Sequence, residues 1–378
     1  MRRSDDAESR AVHGREPASG EELLEVGRRQ RVPRWFWAVA TAAAAVVVAS
    51  VAVTRGGSDH HGRVPPSPST SRAVLNVPPP VAPALDPPLD VGTGAVLDAV
   101  AFGQHTWVLH PDRITGLSIA AGRNKSVAVP RLGSSTVNGS WRLVLDATTA
   151  RLWVVLEGTE RGRALEYTLW TLTRIRDLRL PRINGAAAMD GHLYLTSDRQ
   201  LIDVRPRAAV HAVPIRGVTG ALGPIAADPA RSRLLVLDYS AATHLWIYSP
   251  DRIRVRKATT LPFTKASIAV TEQAIWVGGF SRTKAMLWQL DIPSLTPSGK
   301  SPLSSELGPG AVLLAAGDRD VWVASGGGPG LWCVDAKTGR KEQHWTLAPT
   351  VITTDQHRVI AVADGQAVPL HLRGGCTG

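Results

Sequence analysis

The sequence predicts an all-β protein, a seven-bladed β-propeller with an N-terminal transmembrane helix. Three observations carry this. After about residue 92, an apolar stretch, a short polar turn and a second apolar stretch recur seven times. Tryptophan supplies 12 of the 20 aromatic residues, which implies a repeated structural role. The run Trp35–Val53 has no charged residue.

The repeated unit reads AVAFGQHTWVL, LVLDATTARLWVVL, AAAMDGHLYL, PIAADPARSRLLVL, IAVTEQAIWVGG, LLAAGDRDVWVA and VITTDQHRVIAV. Its central positions are Trp107, Trp153, Tyr194, Leu235, Trp276, Trp322 and Ile360, spaced 46, 41, 41, 41, 46 and 38 residues apart. Such a period fits one four-stranded blade per repeat. A third strand follows in each unit, where Trp170, Trp246, Trp288 and Trp332 recur, and then a more charged outer strand such as KSVAVP. Large flat side chains on the middle strands fill the space between blades, so these tryptophans are expected to pack rather than bind.

The seventh unit ends without an outer strand, since only GGCTG follows AVPLHLR. The segment Arg72–Pro79, RAVLNVPP, resembles the outer strand of the first unit. Residues 72–78 are therefore expected to be the fourth strand of the last blade and to close the ring, which removes an exposed edge. The propeller then spans 72–373, with a tail at 374–378.

Trp35–Val53 has 19 residues, enough to cross a bilayer core as a helix. Arg28, Arg29, Arg31 and Arg34 precede it, whereas Arg55 and Arg63 are the near bases after it. The positive-inside rule places 1–34 in the cytoplasm and the propeller outside, at the plasma membrane. A cleaved signal peptide ending near Ser50 and Ala52 is the rival, but the apolar run is long for one and 34 residues come first. Residues 1–34 mix charges of both signs with few large apolar groups and read as a disordered tail. The proline-rich residues 54–71 read as a semi-stiff spacer.

At this point the repeats resemble those of bacterial seven-bladed propellers of the YVTN and PQQ-like group. The best match is GLWCVDAKTGRKEQHW, Gly330 to Trp345, whose Asp335, Thr338 and Gly339 form the turn between the third and fourth strands. The strands Ile275-Trp276-Val277 and Val321-Trp322-Val323 add to it. The resemblance covers roughly 92–373 and implies a fold, because propellers host unrelated activities. Only the sixth repeat carries the full turn, and no cofactor is expected. The excess of Arg over Lys, with abundant Ala and Val, is similar to actinobacterial proteins.

The innermost strands are small and apolar, with Asp98 and Asp146 the titratable candidates to face the channel. No acid–base pair or metal-ligand set is apparent, and no CxxC or HExxH occurs, so a metal site is not expected and catalysis is the lesser reading. The alternative is an extracytoplasmic enzyme of the lyase or quinoprotein kind. The acids at the turns between first and second strands, among them Asp146, Asp190 and Asp228, read as turn formers. Loops at one mouth carry Arg131, Arg161, Arg163, Arg182, Arg199, Arg216, Lys265, Arg282 and Lys284. That face is the candidate binding surface for a protein or anionic cell-envelope partner, in keeping with a net charge of +11. Nucleic acid is not expected, because exposed aromatics do not interleave these bases. Cys333 and Cys376 either form a disulfide stapling the last two blades or remain two thiols; spacing does not decide.

Overall fold

In the computed structural model, Leu89, Val91 and residues 94–371 are described, with breaks at 119–122, 131–138, 308–310 and 355–357 and at several positions of one or two residues. They belong to the second of two units into which the chain divides, Asn76–Gly378. The tail 1–34, the apolar run 35–53, the spacer 54–71, the 72–78 strand, Cys376 and the terminus 374–378 lie outside the described residues. No helix among the described residues is long and apolar enough to cross a membrane.

Seven antiparallel sheets follow one another along the chain. Blade 1 comprises β1 (Asp98–Phe102), β2 (His105–Leu109), β3 (Arg113–Ser118) and β4 (Arg123–Ala128). Blade 2 comprises β5 (Ser140–Asp146), β6 (Arg151–Glu157), β7 (Arg161–Thr168) and β8 (Arg174–Pro181). Blade 3 comprises β9 (Gly185–Met189), β10 (His192–Ser197), β11 (Gln200–Val204) and β12 (Val210–Pro214). Blade 4 comprises β13 (Ala221–Asp228), β14 (Arg233–Tyr239), β15 (Thr243–Ser249) and β16 (Arg254–Leu261). Blade 5 comprises β17 (Ala266–Val270), β18 (Ala274–Ser281), β19 (Lys284–Asp291) and β20 (Pro297–Lys300). Blade 6 comprises β21 (Val312–Ala316), β22 (Asp320–Ser325), β23 (Leu331–Asp335) and β24 (Lys341–Trp345). Blade 7 comprises β25 (Val351–Thr354), β26 (Arg358–Ala363) and β27 (Gln366–His371).

A sheet with two apolar faces needs a neighbour on each. Seven apolar cores supply them, one between each pair of adjacent blades, and the last joins Val351, Ile360 and Val362 of blade 7 to Ala99, Val108 and Leu117 of blade 1. The ring is therefore closed. The seven central positions read from the repeat all lie on the second strand of a blade and are all buried. Side chains alternate across a strand. Trp153 accordingly packs among residues of blade 3, whereas its neighbours Leu152 and Val154 pack among residues of blade 1.

Blade 7 has three described strands, and a single bridge reaches β27 from the chain before blade 1. There the Leu89 amide donates to the Ala367 carbonyl at 2.8 Å. In blades 2, 4, 5 and 6 the pairing of the third and fourth strands shifts register by a bulge. A bulge raises local twist, which suits the widest part of a blade.

The turn after β23 takes the form the sequence implies. Asp335 accepts from the Thr338 amide at 2.6 Å, from the Thr338 hydroxyl at 2.7 Å and from the Lys337 amide at 3.1 Å. Gly339 follows in the left-handed region at φ 70°. Asp146 forms a similar turn with Thr148 and Thr149, as its reading as a turn former expects, and is not part of the channel wall where an inward position was also considered.

Trp170 is a second correction. It lies beyond the end of β7, on the turn before β8, and is 52% exposed, against the edges of His105 and Trp107. The third strand of blade 2 is RGRALEYT, and Leu165 occupies the site that Trp246, Trp288 and Trp332 hold in blades 4, 5 and 6. Trp276→Ala is expected to cost about 3–5 kcal/mol of stability, and Trp170→Ala about 1 kcal/mol or less. Unfolding of the two variants in denaturant checks the contrast.

Candidate functional site

The loops between blades and those joining second to third strands meet at one mouth of the ring. The basic residues expected there do not converge on one point. Arg131, Lys265 and Arg282 lie outside the described residues. Arg163 is committed to its own blade, donating to both oxygens of Asp177 at 2.9 and 2.7 Å, and this bonding lowers the Asp177 carboxyl below its ordinary range. Arg199 donates to the Thr219 carbonyl at 3.2 Å. Arg182 donates to Asn184 Oδ1 at 3.1 Å, and the Asn184 amide in turn donates to the Leu222 carbonyl of the next blade at 2.8 Å. Arg161, Arg216 and Lys284 are exposed.

The channel behind this mouth encloses about 720 Å³. Each innermost strand pairs on one edge only, so the other edge faces the channel. Most of the wall is small or apolar, as at Ala99, Val100, Ala186, Ile225, Ala266 and Val351. Polar side chains near the mouth tie neighbouring blades together. Asp98 accepts from the Leu143 amide of blade 2 at 2.7 Å, and Ser267 donates to the Val312 carbonyl of blade 6 at 2.6 Å.

Against that wall stand Asp98, Arg142, Glu157 and Tyr239, from blades 1, 2, 2 and 4. Arg142 and Glu157 lie at the same end of the pairing between β5 and β6, where Arg142 is two residues from Ser140, the partner of Glu157. Arg142 Nε lies 3.7 Å from Glu157 Oε2, with 49% of the arginine side chain and 16% of the glutamate side chain open. That separation is too long for a hydrogen bond. Asp98 is buried and accepts from the amides of Ala99 and Leu143. Burial raises its carboxyl, and Arg142 and the two amides pull it back.

Burial pushes Glu157 up to about 7; Arg142 draws it down and Asp98 adds to the rise. Burial also pushes the Tyr239 phenol up to about 12, and the charge of Glu157 adds to that. Near neutral pH the mouth therefore holds a guanidinium, a phenol and a carboxyl that exchanges its proton. Such a set can donate to a bound oxygen and can move a proton. No histidine lines the described channel, and the described residues contain no group of three or more His, Cys, Asp and Glu that could hold a metal ion.

Of this cluster, Asp98 was anticipated as inward-facing; Arg142 and Tyr239 were not placed at the mouth. The available signal was Arg142 itself. It is the one basic residue on any innermost strand, but β5 begins at Ser140, before the LVLDA that the repeat marks out.

No family model and no curated protein matches the chain. Solved structures do. U3-55K aligns with a TM-score of 0.56 at 11% identity, over 74% of this chain and 96% of that one. The β-propeller domain of Myceliophteria thermophila Cps50 (Swd1) aligns at 0.57 and 13%, over 75% and 98%. Streptogramin B lyase aligns at 0.53 and 13%, over 76% and 96%. The shared property is the propeller fold. At these identities the likeness extends to architecture and no further.

Glu157 has a consequence for stability. Its carboxyl titrates near its ordinary 4.5 when unfolded and near about 7 in the ring. The folded protein thus holds the extra proton between those values, and stability falls as pH rises from about 4.5 to about 7, then levels off. The loss from this group is on the order of 3 kcal/mol. Glu157→Gln is expected to remove that slope, so thermal midpoints measured at about pH 5 and pH 8 should lie closer together than in the parent.

Proposed function

We propose that the protein is a non-catalytic binding propeller, held outside the cytoplasm by a plasma-membrane span at 35–53, that captures a protein or other anionic partner of the cell envelope at the mouth containing Arg142. The observation that carries this reading is the cluster itself. Among the described residues, the Arg142 guanidinium, the Glu157 carboxyl and the Tyr239 hydroxyl make no hydrogen bond, although each is directed to a shared cavity. With 49% of the arginine side chain open, the guanidinium is free to meet a ligand. Exposed Arg161, Arg182, Arg199 and Arg216 lie on loops of the same face and favour a negatively charged arrival.

Two further points support the location. The uncharged run 35–53 is flanked by arginines on its N-terminal side. Cys333 is buried in β23 and disulfide-bonded, a state that persists in oxidising compartments. Cys376 is the other cysteine of the chain, and we assign it as the partner. A catalytic reading keeps one point in its favour, the near-neutral Glu157, which suits acid–base chemistry.

A photocrosslinking residue placed at Arg182 or Tyr239 in intact cells is expected to yield discrete adducts, and one placed at Lys337, on the far side of the ring, is not. Equal labelling from both sides, or a propeller resistant to protease added outside the cells, would overturn the reading. Intact mass of the protein after alkylation without reductant is expected to show no thiol modified and, after reduction, two.

A further inference from the structure

We infer that the channel mouth binds a carboxylate, and that Glu157 takes up a proton from solvent as it does so. The inference rests on the capture face proposed above and names the chemical group that face receives.

Arg142 sets the ligand's charge. Its planar guanidinium offers five donors, and none is used among the described residues. A carboxylate matches that fork with two parallel bonds. Asp98, on the neighbouring innermost strand, already balances one positive charge. With Asp98 beside Arg142, each further negative charge at the mouth lacks a cation of its own, so a phosphate dianion is disfavoured more than a singly charged carboxylate. An ammonium group would meet Arg142 head-on, inside a rim that also carries Arg161, Arg182, Arg199 and Arg216.

Proton uptake follows from position. Glu157 Oε2 lies 3.7 Å from Arg142 Nε, so a carboxylate seated on that guanidinium lies beside the Glu157 carboxyl. Two carboxyl groups in contact do not both ionise. The charged and titratable groups that face Glu157 are Arg142 on β5, Asp98 on β1 and Tyr239 on β14. Tyr239 stays protonated in this range and Asp98 is engaged by two amides, which leaves Glu157 to accept the proton. The balance is simple: Glu157–COO⁻, one proton and R–COO⁻ become Glu157–COOH donating to ⁻OOC–R. The volume of about 720 Å³ and the wall of Ala99, Val100, Ala186 and Ile225 leave room for a modest apolar body behind the acid.

Titration calorimetry on the full chain in detergent, at about pH 7 and in two buffers of different ionisation heat, tests this. The probes are hexanoate, as a free acid, and acetyl-alanyl-leucine, as a polypeptide C-terminus, each beside its carboxamide, with inorganic phosphate as a control. At least one acid is expected to bind about tenfold or more tightly than its amide, with uptake of about half a proton, since Glu157 is then about half ionised. Which acid binds more tightly separates the two sources. Arg142→Gln should weaken binding about tenfold or more, and Glu157→Gln should keep binding but abolish uptake. Amides binding as well as acids, phosphate binding in their place, no binding by either acid, or unchanged uptake in Glu157→Gln would each overturn the inference. The parent comparison of acid with amide needs no variant to fold. If the acids fail while crosslinks from Arg182 and Tyr239 persist, the carboxylate is refused and the capture face stands. If crosslinks are absent while the acids bind, the reverse holds.

Discussion

Packing of one sheet against the next is the contact on which the molecule depends. Each blade presents two apolar faces, and a sheet left with one uncovered would expose a large patch. The contact between blades 7 and 1 is therefore as necessary as any other, although its residues are the farthest apart in sequence. Val351 and Ile360 meet Ala99 and Val108 only because the intervening five blades turn through a full circle. The bridge from Leu89 to Ala367 adds a second tie across the same seam, made through backbone groups that any sequence supplies.

Legibility follows from this. A side chain that repeats the same packing in every blade leaves a periodic trace, and the second-strand positions from Trp107 to Ile360 could be read directly. Trp170 shows where the trace misleads. It sits in a string, YTLWTL, that resembles HLWIYS, yet the chain has already left the strand at Thr168. Leu165 fills the packing position, and a leucine among leucines carries no distinctive signal. The inner strand of blade 2 also starts before the repeat string, as does that of blade 4, and that early start is what carries Arg142.

The mouth residues were hidden for another reason. Arg142 and Glu157 are 15 positions apart in sequence, on different strands, and Tyr239 belongs to a blade further round the ring. Only pairing of β5 with β6 brings the first two together, and only ring closure brings the third. Nothing in spacing encodes that. The basic loop residues were legible as a group because charge can be counted along a chain, but the structure divides them. Arg163 and Arg182 serve neighbouring side chains, and Arg161 and Arg216 remain open at the rim.

A ring of repeats also gives its own standard for what is unusual. The same place, the mouth end of an innermost strand, occurs seven times. Blade 5 places Ser267 there, which bonds its neighbour's backbone, and blade 3 opens with Gly185, where a Cβ would come within 2.7 Å of Gly223. These residues serve packing and closure. Blade 2 places Arg142 there instead, diagonally across from Glu157, with neither hydrogen-bonded among the described residues. Burial raises the Glu157 carboxyl to about 7, so the pair costs the fold stability that Ser267 and Gly185 do not. A local departure that weakens one sector of an otherwise self-consistent ring is where function is expected to lie.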